Sequence, residues 1–448
     1  MSISNCKLVI MTKSFVYFLF ILIAAFLTTG CSKDTDNDGE EVVPFFEVTC
    51  PQLDNIAWEG TVFTLSVESN AEWSVVSNAG WCKVADNVSG NANAEVTIEI
   101  SDNLTGESRE ATIQFTWGVE GEKNEIKVVQ EPQPFVEGGL YKIPVVFQML
   151  YGNRNIETQY VKEGHLKTVL DGVNELYRQS GQNLNIEFVM ATETPTGEPM
   201  EEPGVNRVEW TTSTIDCIEF MESDEQRYLD IIWDPSKYIN VVLYNFSNPQ
   251  ILGISQFPFL MAPDALPGVE SLYNSAFPTQ ENLDRPQCVS INNRYIYDTA
   301  PLAVPGNPEG SLTNVVSTLA HELGHFLGLR HAFSESYSGA CIDSDFCDDT
   351  PTYNRQNYER LVQAYGMSYK EHIDELITRE PCNSGESFIS TNIMDYSITY
   401  SNEFTPQQAE RIRYILEHGV FIPGPKNYPE ISASRVSGKM KLPFEIME

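Results

Sequence analysis

A chain of 448 residues has room for two or three domains and at least one sizeable core. Its 63 acidic residues against 28 Lys and Arg give a formal charge of −35, so a phosphate backbone would be repelled and nucleic-acid binding is set aside. Acidity of this kind fits a secreted chain and calcium binding without specifying either.

The N-terminus is an address, not a fold. Lys7 and Lys13 precede an apolar run from Ser14 to Leu27, followed by Thr28-Thr29-Gly30-Cys31. The run is short for a membrane span of about 20 residues. Residues 1–30 are therefore expected to be a lipoprotein signal peptide, with lipid attached at Cys31. Thr28 departs from the aliphatic residue usual at that place, and an ordinary signal peptide or membrane anchor is the alternative. Residues 31–44 read as a solvated acidic tether. They resemble acidic export signals of surface lipoproteins, and a plain spacer is equally compatible. The expected location is the bacterial cell envelope, as an outer-membrane lipoprotein exposed at the surface. Beyond Cys6 and Cys31 stand Cys50, Cys82, Cys217, Cys288, Cys341, Cys347 and Cys382, an odd set with no Cys-x-x-Cys spacing.

From residue 45 to 134 short alternating runs such as Val62–Val67, Ala94–Ile100, Ala111–Phe115 and Glu125–Gln130 are separated by turn residues. They predict an all-β, immunoglobulin-like sandwich. The order Ala71-Glu72-Trp73-Ser74-Val75, Gly80-Trp81, Gly90, Asn103 and Val128-Val129-Gln130-Glu131 resembles a BACON domain. That resemblance implies possible contact with glycan or mucin. Trp73 and Trp81 are expected in the core, which leaves a spacer as the default role.

Residues 139–422 are expected to form one α/β domain. Tyr141–Leu150 reads as a buried strand, and Val161, Leu166, Val169, Leu170, Val173 and Leu176 fall on one helical face. Strands follow at 184–190 and 239–244, and residues 423–448 are left as a C-terminal tail. Val315, Val316, Leu319, Ala320, Leu323 and Leu327 recur at helical spacing, with Ser311 or Thr313 as the cap. This helix carries His321-Glu322-Leu323-Gly324-His325, then Gly328 and His331. Positions i and i+4 share a helix face, so His321 and His325 reach one ion. Gly328 permits the turn that returns His331 as a third ligand. Three protein ligands with an open fourth position are the layout of a catalytic zinc site, and Glu322 is placed to accept a proton from water. Gly324 is costly in a helix interior and predicts a packing or functional reason.

The extended motif resembles the metzincin signature, and Asn392-Ile393-Met394-Asp395-Tyr396 resembles its Met-turn, with Met394 as a hydrophobic floor. The motif Phe404-Thr405-Pro406-Gln407-Gln408 then opens a helix with a capping box. Together with Gly328–Phe333 and Asp348-Asp349-Thr350-Pro351 these features narrow the resemblance to the pappalysin family, over about residues 140–420. The family implies a zinc metalloendopeptidase with a twisted mixed sheet, a zinc-site helix and a Met-turn, acting on protein or peptide substrates. It implies that Tyr396 helps stabilise the tetrahedral intermediate and that residues 252–258 form the strand that rims the cleft and pairs with extended substrate. It implies structural calcium at Asp345, the Asp348 backbone oxygen and Thr350, a ligand set of suitable hardness; a solvated turn is the alternative. Cys347 is additional to the family pattern, and Cys341 with Cys382 is the preferred disulfide. The 354–380 insertion is expected to shape the cleft or merely cover a surface, and Glu403 could favour a basic residue after the scissile bond. The competing function is a surface adhesin or glycan-binding lipoprotein with a vestigial metal site, against which the intact Glu322 argues.

Overall fold

The computed structural model describes residues 6–7, 43–274, 276–336, 340–382, 385–396, 398–427 and 438–447. The expected signal peptide (Cys6–Lys7 apart), Cys31 and the tether up to residue 42 lie outside them. Two units result: residues 1–103 with 108–131, and residues 104–107 with 132–448. Among the described residues no helix is long and apolar enough to cross a membrane.

In the first unit alternation sets the fold. Val96, Ile98 and Ile100 are buried while Glu95 and Glu99 face outward, and Ala111, Ile113, Phe115 and Trp117 are buried on the neighbouring sheet. One antiparallel sheet runs in the order Cys6–Lys7, Phe46–Cys50, Thr61–Ser69, Ala94–Ile100, Cys82–Val84. The other runs Ser89–Gly90, Trp73–Ser77, Arg109–Trp117, Glu122–Gln130. Their inward residues form one core. Trp73 and Trp81 belong to it, at 3% and 5% exposure, so neither presents a ring to a sugar.

The second unit is built on a mixed sheet. Its strands are β1 (Tyr141–Tyr151), β2 (Ile186–Met190), β3 (Val205–Glu209), β4 (Ile239–Tyr244), β5 (Gly253–Gln256), β6 (Val289–Asn292) and β7 (Ile446–Met447). The order is β2-β1-β4-β6-β5-β7, with β3 also on β1. Strands β1 to β4 and β6 pair in parallel, whereas β5 is antiparallel to both β6 and β7. Both faces of the central strands are covered, so β4, β5 and β6 are buried along their whole length, and the polar residues they carry, such as Asn240 and Ser290, are buried with them. Along β4, Ile239, Val241 and Leu243 enter one core, and Val242 and Tyr244 enter the other.

Helices α1 (His165–Gln179) and α2 (Val315–Phe326) share the first of these cores. Three local expectations need correction. Val161 precedes α1, which starts only after Gly164 at φ 80°; it is buried in the same core nonetheless. The cap of α2 is Asn314, whose side chain accepts from Ser317 N at 2.9 Å. Ser311 and Thr313 are unavailable because both hydroxyls donate to Asp298 Oδ2 at 2.5 Å. The expected tail contributes β7 to the sheet, with Leu442 and Met447 buried.

Candidate metal centre

Helix α2 brings His321 and His325 to one point and ends at Phe326, two residues before Gly328, whose φ of 86° is open to glycine. A Cβ at Gly328 would stand 2.6 Å from Ile415 Cγ1, so the turn is also tightly packed. His331 then folds back. The Nε2 atoms of His321 and His331 lie 3.0 and 3.1 Å from that of His325. Among the described residues this is the one group of His, Cys, Asp and Glu side chains that converges as a metal site would require.

The other ring nitrogens are committed outward. His321 Nδ1 meets Ile393 O at 2.7 Å, His325 Nδ1 meets Leu329 O at 2.8 Å, and His331 Nδ1 meets Glu335 Oε1 at 2.5 Å. Carbonyl oxygens only accept, so Nδ1 of His321 and His325 carries the proton and Nε2 presents a lone pair. Lone pairs facing each other at 3 Å repel unless a cation lies between them. Tetrahedral metal–nitrogen bonds of about 2.0–2.1 Å hold nitrogens about 3.3 Å apart, and the cluster fits that spacing. Burial lowers His321 to about 4, with the Ile393 bond opposing. Burial, then the neighbouring imidazoles, takes His325 well below its ordinary value, and burial does the same to His331. Neutral imidazoles are what a metal needs.

Glu322 is 3% exposed and lies against β5: a Cβ at Gly253 would stand 2.5 Å from its Cγ. Below the cluster Met394 is fully buried and its carbonyl accepts from Ala332 N at 3.0 Å. Gly324 has its packing reason here, because a Cβ at that position would collide with the Met394 sulfur. The Tyr396 ring lies edge-on to His331 with centroids 4.4 Å apart.

Sequence reasoning missed three supports. Arg379, 1% exposed, sits 3.2 Å from Asp395 Oδ2 and donates to the carbonyls of Tyr396 and Ile398 at 3.0 and 2.9 Å, clamping the Met-turn. Arg355 lies 4.6 Å over the Tyr396 ring. Glu335 orients the third histidine. A lone charged residue has no pattern that reveals burial, so only Glu335, four residues after His331, carried any signal. The insertion does shape the cleft: Arg355, Val362, Gln363 and Tyr369 line a hollow of about 650 Å³ with His321, Glu322 and Tyr396. Glu403 does not. It is exposed, bonded by Thr391 Oγ1, and lines a separate hollow.

In the acidic loop Asp345 is buried and accepts from Thr350 Oγ1 at 2.5 Å and Cys347 N at 3.0 Å, while Asp348 is exposed. A disulfide joins Cys341 and Cys382, and Cys347 is a free, buried thiol.

Residues 289–417 match the family model described as Peptidase_M43, pregnancy-associated plasma protein-A, and residues 71–131 match the BACON model. An extracellular metalloprotease of Arthroderma benhamiae is 37% identical over 110 residues, 24% of this chain and 34% of that protein. One of Colletotrichum graminicola is 31% identical over 136 residues, 30% of this chain and 40% of that protein. The chain thus spans about a third of the length of the first curated relatives it matches. Among solved structures, mirolysin in complex with compound 9 is 20% identical over 62% of this chain and 92% of that one, with a TM-score of 0.42. Residues 289–417 are thus similar to the pappalysin-type metallopeptidase family, and residues 71–131 to the BACON domain.

Proposed function

We propose that this protein is a zinc-dependent endopeptidase whose metal is held by His321, His325 and His331. The observation that carries the reading is the convergence of three neutral Nε2 atoms beside a buried carboxylate, Glu322. When bound, zinc supplies Lewis-acid polarisation of the scissile carbonyl and of the attacking water. Glu322 takes the proton from that water and delivers it to the leaving amine. Gly253, lacking a Cβ, lets the backbone of β5 lie against this carboxylate and keeps it aimed. Tyr396, whose ring rests against His331, donates its hydroxyl to the developing oxyanion. Arg379 holds the Met-turn backbone from which Tyr396 projects.

Two further parts belong to the same proposal. Lipid on Cys31 anchors the enzyme at the outer surface of a bacterial envelope; Cys31→Ala then shifts the protein from the membrane fraction to the soluble one. Calcium at Asp345, Asp348 and Thr350 stabilises the acidic loop, because burial pushes Asp345 up to about 7 and a hard cation relieves that cost.

The test of the central claim is Glu322→Gln. Casein cleavage falls by about 10²–10⁴-fold, while zinc content by elemental analysis stays at the wild-type value. Undiminished cleavage removes Glu322 from the mechanism, and folded protein that retains no zinc removes the metal.

A further inference from the structure

The sheet edge beside the metal centre is filled by the chain's own C-terminal segment. Glu445 O accepts from Phe257 N at 2.8 Å, and Ile446 and Met447 pair antiparallel with Gln256 and Ser255. The direction of this pairing leads toward Gly253, where Glu322 stands. A peptide added to a sheet edge draws affinity from its backbone hydrogen bonds and selectivity from side-chain contacts along the edge.

Here the side-chain contact is ionic. Arg330 Nη2 lies 2.6 Å from Glu445 Oε2. The Arg330 guanidinium is held in place: its side chain is 16% exposed, it lies 4.6 Å over the Phe257 ring, and it donates to Gly268 O at 2.8 Å. A cation that is largely desolvated and fixed in this way calls for an anionic partner, which Glu445 supplies. Arg330 directly precedes His331, so the cationic position is tied to the metal centre and not to a remote surface.

We propose that the edge Gly253–Phe257 and Arg330 form a docking subsite for an extended peptide bearing Asp or Glu opposite Phe257, and that residues 445–447 occupy it as an internal competitor. The strand direction places that acidic residue on the N-terminal side of the bond presented to Glu322. Calling the competitor's rival a substrate rests on the peptidase function; the docking itself does not.

The experiment separates the two. A fluorescein-labelled peptide reproducing residues 442–447, and its twin with Gln for Glu, are titrated by polarisation against the zinc-loaded full chain carrying Glu445→Ala. The Glu peptide binds about three-fold tighter or better, the scale of a partly exposed ion pair. That preference vanishes in the Glu445→Ala chain that also carries Arg330→Gln and survives in part with Arg330→Lys; zinc content reports that the site is intact. In parallel, casein cleavage by Glu445→Ala shows a lower KM at unchanged kcat. Mapping of cleaved bonds shows Asp and Glu enriched at one position upstream, except with Arg330→Gln. Equal binding of the two peptides, or an unchanged KM for Glu445→Ala, overturns the proposal. Glu-selective docking in a chain that cleaves nothing upholds the subsite and removes the peptidase.

Discussion

The histidine cluster and the acidic loop both gather metal-ligand side chains on the second unit, and they use their polar atoms in opposite ways. At the histidines every Nδ1 is engaged outward, by Ile393 O, Leu329 O or Glu335, so the Nε2 atoms are left converging on one point. In the loop, Asp345 turns both carboxylate oxygens onto its own loop's donors, Thr350 Oγ1 and Cys347 N, and Asp348 faces solvent. The histidines are therefore aimed as they stand, whereas a calcium ion in the loop would have to draw the Asp345 oxygens away from Thr350 and Cys347. What matters is whether the surrounding bonds aim the remaining lone pairs inward or consume them.

The sharpest way to break this contrast is to disturb aim without touching a ligand. Gly253→Ala drives a Cβ into Glu322; kcat falls on the order of 10²-fold, the penalty of a misplaced catalytic group, while zinc titration is unchanged. Loss of zinc in that variant would mean that β5 supports the ligands as well as the base. Next comes the one carboxylate behind a ligand. Glu335→Gln weakens zinc affinity about 10–100-fold in chelator competition, and an unchanged affinity would reduce the His331–Glu335 contact to a surface pairing.

Acid should separate the regions further. Burial holds His321 at about 4, below its ordinary 6.5, so the metal-free folded state binds fewer protons than the unfolded state between those values. The stabilising contribution is present above pH 6.5 and is lost as pH falls toward 4, read as a falling thermal midpoint of metal-free protein. Asp345 runs the other way: its pKa is raised, so the penalty of its charge appears as pH rises through the range from about 4 to 7. The smallest effect tests the loop. Asp345→Asn changes stability in calcium-free buffer by about 1 kcal/mol, because the single amide oxygen keeps only one of the bonds from Thr350 Oγ1 and Cys347 N while the cost of the buried charge is removed. In wild-type protein calcium raises the thermal midpoint, and the variant abolishes that rise. A wild-type midpoint indifferent to calcium would leave the loop as a turn.

Much of the fold follows local periodicity. The alternation in Ala94–Ile100 marks a strand with one wet face, and the apolar run Val241–Tyr244 within Ile239–Tyr244 marks one covered on both. Local rules fail where a distant partner competes. Ser311 and Thr313 look like caps but are claimed by Asp298, and residues beyond 422 look like a tail until β5 offers them an unpaired edge.

The same division holds at the site. Spacing on one helix, followed by a glycine that turns the chain, is a matter of backbone geometry over a few residues. His321, Glu322, His325, Gly328 and His331 could therefore be assigned from their order alone. The Ile393 carbonyl behind His321, Arg379 beneath the Met-turn and Glu445 on Arg330 come from chain positions with no shared period. Contacts between residues far apart in sequence leave no local pattern. Only the folded core, by fixing where those segments pass, decided them.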